Sequence, residues 1–208
     1  MSPIHGSHYG HHAHRRLQQR SNNVSRTEPT DNEPVCVDEV KRDVRIDFPD
    51  NDDIIRETIQ AARQHIEEQL IWQALITQTA VDKFDDFGGE LFLHWNPVQS
   101  ITSIAYLDGD GTSQTLATSV YELAQDNGEG IVRLKDGQVW PTTQAHQDSV
   151  TVTYVAGFGD DAEDVPITIR KAIRVLAGAW YLNPDGSMGV PLQVDALLSG
   201  QGLNRVIA

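Results

Sequence analysis

The chain has few of the features that mark disulfide-stabilised, secreted or membrane-spanning proteins. It carries a single cysteine, Cys36, so no internal disulfide can form, and we expect this thiol to be half-buried as a small hydrophobe. No apolar run approaches the roughly 20 residues that a membrane-spanning helix requires. The polar N-terminus lacks the apolar segment of a secretory signal. The sequence therefore predicts a protein that stays in the cytoplasm where it is made, or that leaves inside something larger.

Motifs of catalysis and cofactor binding are also missing. Gly157-Phe158-Gly159 is only a fragment of a dinucleotide-binding pattern, and it precedes a run of acids that would repel a pyrophosphate. His65, His94 and His146 have no nearby cysteine and no Gly-x-Ser-x-Gly nucleophile motif. The sequence thus predicts no enzyme and no cofactor. A hydrolase that uses an unrecognised pair of carboxylates is the alternative from the enzyme class.

Three segments contain metal-ligating residue types without the spacing of a known site. The first is a histidine tract of His5, His8, His11, His12 and His14. The second is the acidic stretch over residues 160–164, and the third is Asp108-Gly109-Asp110-Gly111, which begins like a calcium loop but lacks its later ligands. We interpret the first two as solvated segments and the third as a hairpin turn, and we assign no metal.

The charge of the chain is strongly negative and unevenly distributed. The formal net charge is −14, yet residues 1–26 hold four arginines and no Asp or Glu. The other 182 residues hold 12 basic and 30 acidic side chains. A body this acidic should repel a nucleic-acid backbone, because phosphate binding depends on Lys and Arg. Any contact with DNA is therefore expected to be passive.

The order of hydrophobic patterns predicts an α+β fold. We expect helices at both ends of the body, flanking an inserted small antiparallel sheet or half-barrel, with a disordered N-terminal and an extended C-terminal tail. The divisions are a His/Arg-rich tail over 1–34, a body over 35–186 and a C-terminal tail over 187–208. Within the body, the expected elements are helices at 37–45, 52–72 and 166–183 and a β insertion at 74–156.

The longest polar helix of the body carries one apolar stripe. Ile55, Ile59, Ile66 and Leu70 recur at helical spacing, with charged residues on the other faces. A helix of this length is marginal alone in water, so the stripe must pack on something. That surface is the sheet, a neighbouring subunit or both, and we treat these four residues as a ring-contact or core set.

The C-terminal tail keeps apolar residues without an evident partner. Ordering it costs about 1–2 kcal/mol per residue in backbone entropy. The tail therefore favours docking on another chain, with an ordinary frayed end as the alternative. Its candidate docking residues are Val194, Leu197, Leu198, Leu203, Val206 and Ile207.

Four tryptophans leave a second class of function open. Trp72, Trp95, Trp140 and Trp180 could line the groove of a β-rich carbohydrate-binding or surface-binding module. Packing in a core or an interface is the more ordinary role of such residues. Exposed indole rings would favour the binding module, whereas buried ones would oppose it.

From about Val37 to Asn183, the chain resembles the head–tail connector proteins of tailed phages, the adaptor or head-completion family. The order and spacing of several short pieces carry this resemblance: Val37-Asp38-Glu39-Val40-Lys41, Arg45-Ile46-Asp47, Asp52-Asp53, Ala61-Ala62-Arg63, Leu75-Ile76-Thr77-Gln78-Thr79, Pro97-Val98-Gln99-Ser100-Ile101-Thr102-Ser103-Ile104, Tyr106-Leu107-Asp108 with Asp110-Gly111, Trp140-Pro141, Val150-Thr151-Val152-Thr153-Tyr154-Val155-Ala156-Gly157, Val165-Pro166, Ala172-Ile173 and Trp180-Tyr181.

The resemblance implies a structural protein of the virion neck. Such proteins form rings, commonly dodecameric, that stack under the portal, extend the DNA channel and receive a stopper or tail protein. In the family the C-terminal segment reaches the portal, which would correspond here to residues 191–208. Another neck or tail-completion protein is the nearest alternative, and helices flanking an inserted sheet favour the adaptor.

Overall fold

A computed structural model describes residues 18–27, 32–48, 51–185 and 189–199. Within these ranges, four α-helices pack around one apolar core: α1 (Val37–Val44), α2 (Asp52–His65), α3 (Ile167–Leu182) and α4 (Leu192–Leu198). Helix α2 continues into a π-helical turn over Ile66–Ile71, and the chain then turns at Trp72, which is left-handed with φ of 56°. The two acids that open α2, Asp52 and Asp53, lie where the positive end of the helix dipole favours them.

Helix α3 lies at the centre of the helical part, where α1, α2 and α4 pack against it. Ile169, Ile173 and Leu176 are fully buried. Asp43 ties α1 to α3 by accepting from Lys171 (2.9 Å) and Arg174 (2.6 Å). Partial burial raises the pKa of Asp43, but hydrogen bonds and charge from these two cations outweigh it and hold the pKa below its ordinary value.

In the part of the chain that the structure describes, nine strands form two sheets. The first sheet has the order β1-β4-β8-β7, and the second has the order β2-β3-β9-β5-β6. All pairings are antiparallel except that of β1 with β4. The strands are β1 (Gln18–Arg20), β2 (Asn23–Arg26), β3 (Gln78–Phe84), β4 (Glu90–Phe92), β5 (Val98–Leu107), β6 (Ser113–Thr115), β7 (Tyr121–Asp126), β8 (Glu129–Leu134) and β9 (Val150–Ala156).

The two sheets share a second apolar core, distinct from that of the helices. Strand β9 alternates buried and half-buried residues, with Val150, Val152 and Tyr154 facing this core. Leu91 and Val132 of the first sheet belong to the same cluster. Period-two alternation produces this arrangement because successive side chains of a strand point to opposite faces.

The chain passes between the two cores at a tight crossing. Ile76 forms a parallel bridge with Gly159, and Phe158 donates its N–H to the carbonyl of Leu75 at 3.1 Å. Gly157 has φ of 136°, and a Cβ there would lie 2.7 Å from the backbone of Ile76. Only glycine fits both the conformation and the space.

The α+β class with helices flanking inserted strands is confirmed, but several details differ from expectation. The expected disorder of residues 1–34 is wrong for residues 18–26, which form β1 and β2 and complete the two sheets. Residues 1–17, which include the histidine tract, lie outside the described residues. The β insertion forms parts of two sheets, and Cys36 is exposed instead of half-buried.

Candidate interaction surfaces

The apolar stripe of α2 faces the core of its own subunit. Ile55, Ile59 and Ile66 are fully buried among residues of α3, and Leu70 is half-buried against the same cluster. The stripe thus packs on other helices of its own chain, a partner that the sequence analysis did not name. A contact between subunits through the three buried isoleucines would require the core to open.

The expectation that the C-terminal tail has no partner in its own chain is wrong for α4, which packs on the helical core. Val194 and Leu198 are buried in the helical core, and Leu197 is half-buried against it. These three residues are therefore not free to dock on another protein while α4 stays in place. The remaining candidates, Leu203, Val206 and Ile207, lie outside the described residues.

Exposed apolar side chains gather where α2 begins and α3 ends. The side-chain amide of Asn51 donates to the hydroxyl of Tyr181 at 2.8 Å, which fixes these two helix ends side by side. Phe48, Ile54 and Leu182 flank this junction, and each exposes more than half of its surface. Sequence reasoning missed this surface because Ile54 and Leu182 fall outside the apolar stripes of their helices and Phe48 lies in the loop before α2.

A buried carboxylate joins three parts of the chain. Glu67 accepts from Arg26 of β2 at 2.8 Å, from Arg63 of α2 at 2.7 Å and from the backbone N–H of Leu75 at 2.9 Å. The guanidinium of Arg26 also lies over the ring of Trp95, 4.2 Å from its centroid. N–H donors thus occupy both oxygens of Glu67, and the loss of one partner would leave a buried charge without its counter-ion.

A second buried polar cluster holds the loop after β4 over the second sheet. Asp82 accepts from the hydroxyl of Tyr154 at 3.1 Å and from the backbone N–H of His94 at 2.7 Å. The same hydroxyl accepts from the N–H of Trp95 at 3.0 Å. Burial, followed by the charge of Asp82, raises the pKa of Tyr154 far above its ordinary value. The phenol therefore acts as a fixed neutral hydrogen-bonding group.

The described part of the chain contains no group of three or more His, Cys, Asp and Glu side chains that could hold a metal ion. In the acidic stretch over residues 160–164, the carboxylate of Asp164 accepts from the N–H of Asp161, so it caps a short 3₁₀ turn. Asp108 accepts from the N–H groups of Asp110 and Thr112, as a turn residue between β5 and β6. Within the described ranges, no helix is long and apolar enough to cross a membrane.

The tryptophans make contacts within the chain. Trp95 is buried, and the half-buried Trp140 stacks on Phe87 with their ring centroids 4.8 Å apart. Trp72 and Trp180 are half-buried and pack edge-on against His94 and His65. A carbohydrate-binding groove needs exposed indole faces in a row, and these rings do not provide one.

Comparisons with known proteins give a fold but no family. No protein-family model matches the sequence, and no curated protein matches it either. Among solved structures, a chain in the virion of a native gene transfer agent (GTA) particle aligns over 89% of this chain and 97% of that chain, with 22% identity and a TM-score of 0.70.

Two further structures of such particles contain chains with the same fold. A chain in the neck of an empty GTA particle, computed with C6 symmetry, aligns at 22% identity with a TM-score of 0.71. One in the neck of a native GTA particle, computed with C12 symmetry, aligns at 21% identity with a TM-score of 0.69. Both cover 89% of this chain and 98% of the other. The present chain therefore has the fold of a GTA neck protein.

Proposed function

We propose that this protein is a structural component of a virion neck that assembles into a ring and joins a head to a tail. The observation that carries the proposal is the shared fold. Almost the whole length of chains from GTA structures aligns with this one: 98% in the two neck structures and 97% in the virion. Those chains belong to particles computed with C6 and C12 symmetry, which supports a ring with a multiple of six copies, and twelve is the number that we propose.

The finer role that we propose is that of an adaptor. The ring would stack under a portal, extend the DNA channel and present a platform for a stopper or tail protein. The acidic body supports this role because a channel wall of negative charge repels phosphate and lets DNA slide. Imaging of the purified protein by negative-stain microscopy, with and without portal, tests the proposal. A protein that stays monomeric under both conditions would contradict it.

We propose that portal docking uses the segment after α4, with Leu203, Val206 and Ile207 as its apolar contacts. A chain that ends at Ser199 keeps α4 and its buried residues, so we expect it to fold normally and to lose portal binding. A pull-down of portal measures the loss, and thermal unfolding checks the fold.

The matched control for this experiment changes three polar residues of the same segment to alanine. In full-length protein, L203A/V206A/I207A should abolish capture of portal, whereas Q201A/N204A/R205A should retain most of it. Equal capture by both triple variants would argue against an apolar contact by this segment.

A further inference from the structure

Within the described ranges, the first sheet ends in two edge strands that each have one unpaired side. Among the described residues, β1 is bonded only to β4, and β7 is bonded only to β8. An edge strand presents unpaired N–H and C=O groups, which can pair with another chain. A sheet with two such edges on opposite sides can be continued in both directions.

The backbone pattern shows which groups of β7 point outward. Lys135 donates its N–H to the carbonyl of Val120 at 3.0 Å, directly before the strand pair. Hydrogen-bonded pairs recur every second residue in an antiparallel ladder. The backbone N–H and C=O groups of residues 122, 124 and 126 therefore point towards β8. The backbone groups of Tyr121, Leu123 and Gln125 therefore face away from the sheet.

Strand β7 has a regular edge. Its pairing with β8 keeps one register over six residues, without a bulge. In the second sheet, the edge strand β6 has only three residues, and its neighbour β5 pairs with β9 through two register shifts. Because β7 presents its outward N–H and C=O groups at regular spacing, it can accept a strand as short as β1 along its edge.

Strand direction and charge identify the partner of this edge. Strand β1 runs parallel to β4, β8 runs antiparallel to β4, and β7 runs antiparallel to β8, so β1 and β7 point the same way. A second copy placed by a small rotation would present its β7 parallel to β1. Arg20 at the C-terminal end of β1 is exposed and contacts Glu129 of its own chain at 3.3 Å, and the exposed Asp126 ends β7.

We propose that neighbouring copies in the ring join by edge-to-edge pairing of β1 of one copy with β7 of the next. This inference rests on the proposed ring-forming function. The contact uses two different edges, so it is a head-to-tail contact, the type that closes into rings when the rotation between copies allows it. Backbone hydrogen bonds would supply the contact, and the opposite charges would set its orientation.

The test changes one outward-facing residue of β7 in two ways. Gln125→Pro and Gln125→Ala both remove the side-chain amide, which donates to the carbonyl of Val98 at 3.2 Å. Only proline also removes the outward N–H and places its ring on the edge, and such a position is one where a strand tolerates proline. Native mass spectrometry and sedimentation velocity of the full-length protein would measure assembly.

We expect Gln125→Ala to form rings like the wild type and Gln125→Pro to associate at least tenfold more weakly. If Gln125→Pro assembles as well as Gln125→Ala, the surface is wrong and the ring stands. If the wild type forms no ring, with or without portal, the proposed function fails, and this inference fails with it.

A second pair of variants keeps the test decisive if the proline variant does not fold. Asp126→Lys and Asp136→Lys make the same charge change at exposed positions on and off the edge. Asp126→Lys should weaken ring assembly several-fold relative to Asp136→Lys, because it opposes Arg20 of the neighbouring copy. Equal assembly by the two variants would overturn the proposed pairing.

Discussion

Leu198 and Leu192 lie on the same short helix but differ strongly in burial, and this difference makes a sharp test of how α4 docks. Leu198 is 5% exposed in the helical core, and Leu192 is 86% exposed. Truncating a buried leucine to alanine costs about 2–5 kcal/mol. Because α4 has only seven residues and can relax or undock locally, we expect Leu198→Ala to cost about 2–3 kcal/mol. Leu192→Ala should change stability by less than about 0.5 kcal/mol.

Urea unfolding and thermal unfolding, both followed by circular dichroism, measure the two variants at a concentration where the protein is monomeric. For a chain of this length each kcal/mol shifts Tm by roughly 2–4 °C, so Leu198→Ala should lower Tm by about 4–12 °C. Val194→Ala should also destabilise, and the double variant should cost less than the sum of the two if α4 undocks as one unit. Equal losses for Leu198→Ala and Leu192→Ala would show that α4 does not pack on α3 as described.

Three further predictions concern the two buried polar clusters. Glu67→Gln removes a buried carboxylate that balances Arg26, so we expect the free energy of unfolding to fall by about 3–5 kcal/mol. The control is Glu68→Gln at a half-exposed partner of the same arginine, which should cost less than about 1 kcal/mol. Similar denaturation midpoints for the two variants would contradict this expectation. Tyr154→Phe leaves Asp82 without one donor and should cost about 1–3 kcal/mol. In the wild type, ultraviolet absorbance should show tyrosines that resist ionisation, Tyr154 above all, since burial also raises the pKa of Tyr121. Stability should fall as pH rises above the ordinary tyrosine pKa of 10.0, because the unfolded phenol of Tyr154 then ionises and the folded one does not.

Local patterns of side chains predicted most of the helices and strands. The spacing of Ile55, Ile59 and Ile66 identified α2, and the alternation around Val150, Val152 and Tyr154 identified β9. The Asp108–Gly111 turn between β5 and β6 was also readable, because glycine and aspartate favour specific turn geometries. In each case the signal lies within a few consecutive residues.

The N-terminal strands could not be predicted in the same way. Residues 18–26 contain mostly polar side chains, and no member of β1 or β2 belongs to either apolar core. These strands form because their backbones pair with β4 and β3, and because Arg26 reaches Glu67. Backbone pairing leaves little trace in side-chain pattern, so composition alone indicated disorder.

The docking of α4 was hidden for a related reason. Val194 and Leu198 form too short a pattern to specify their own partner, and α3 offers a surface only after the helices have packed. The sequence by itself determined the α+β class, the order of the main elements and the acidic character of the body, because these follow from local periodicity and composition. Tertiary structure alone decided where the polar strands pair, which tail residues are buried and which sheet edges stay open, because these depend on contacts between residues far apart in the chain.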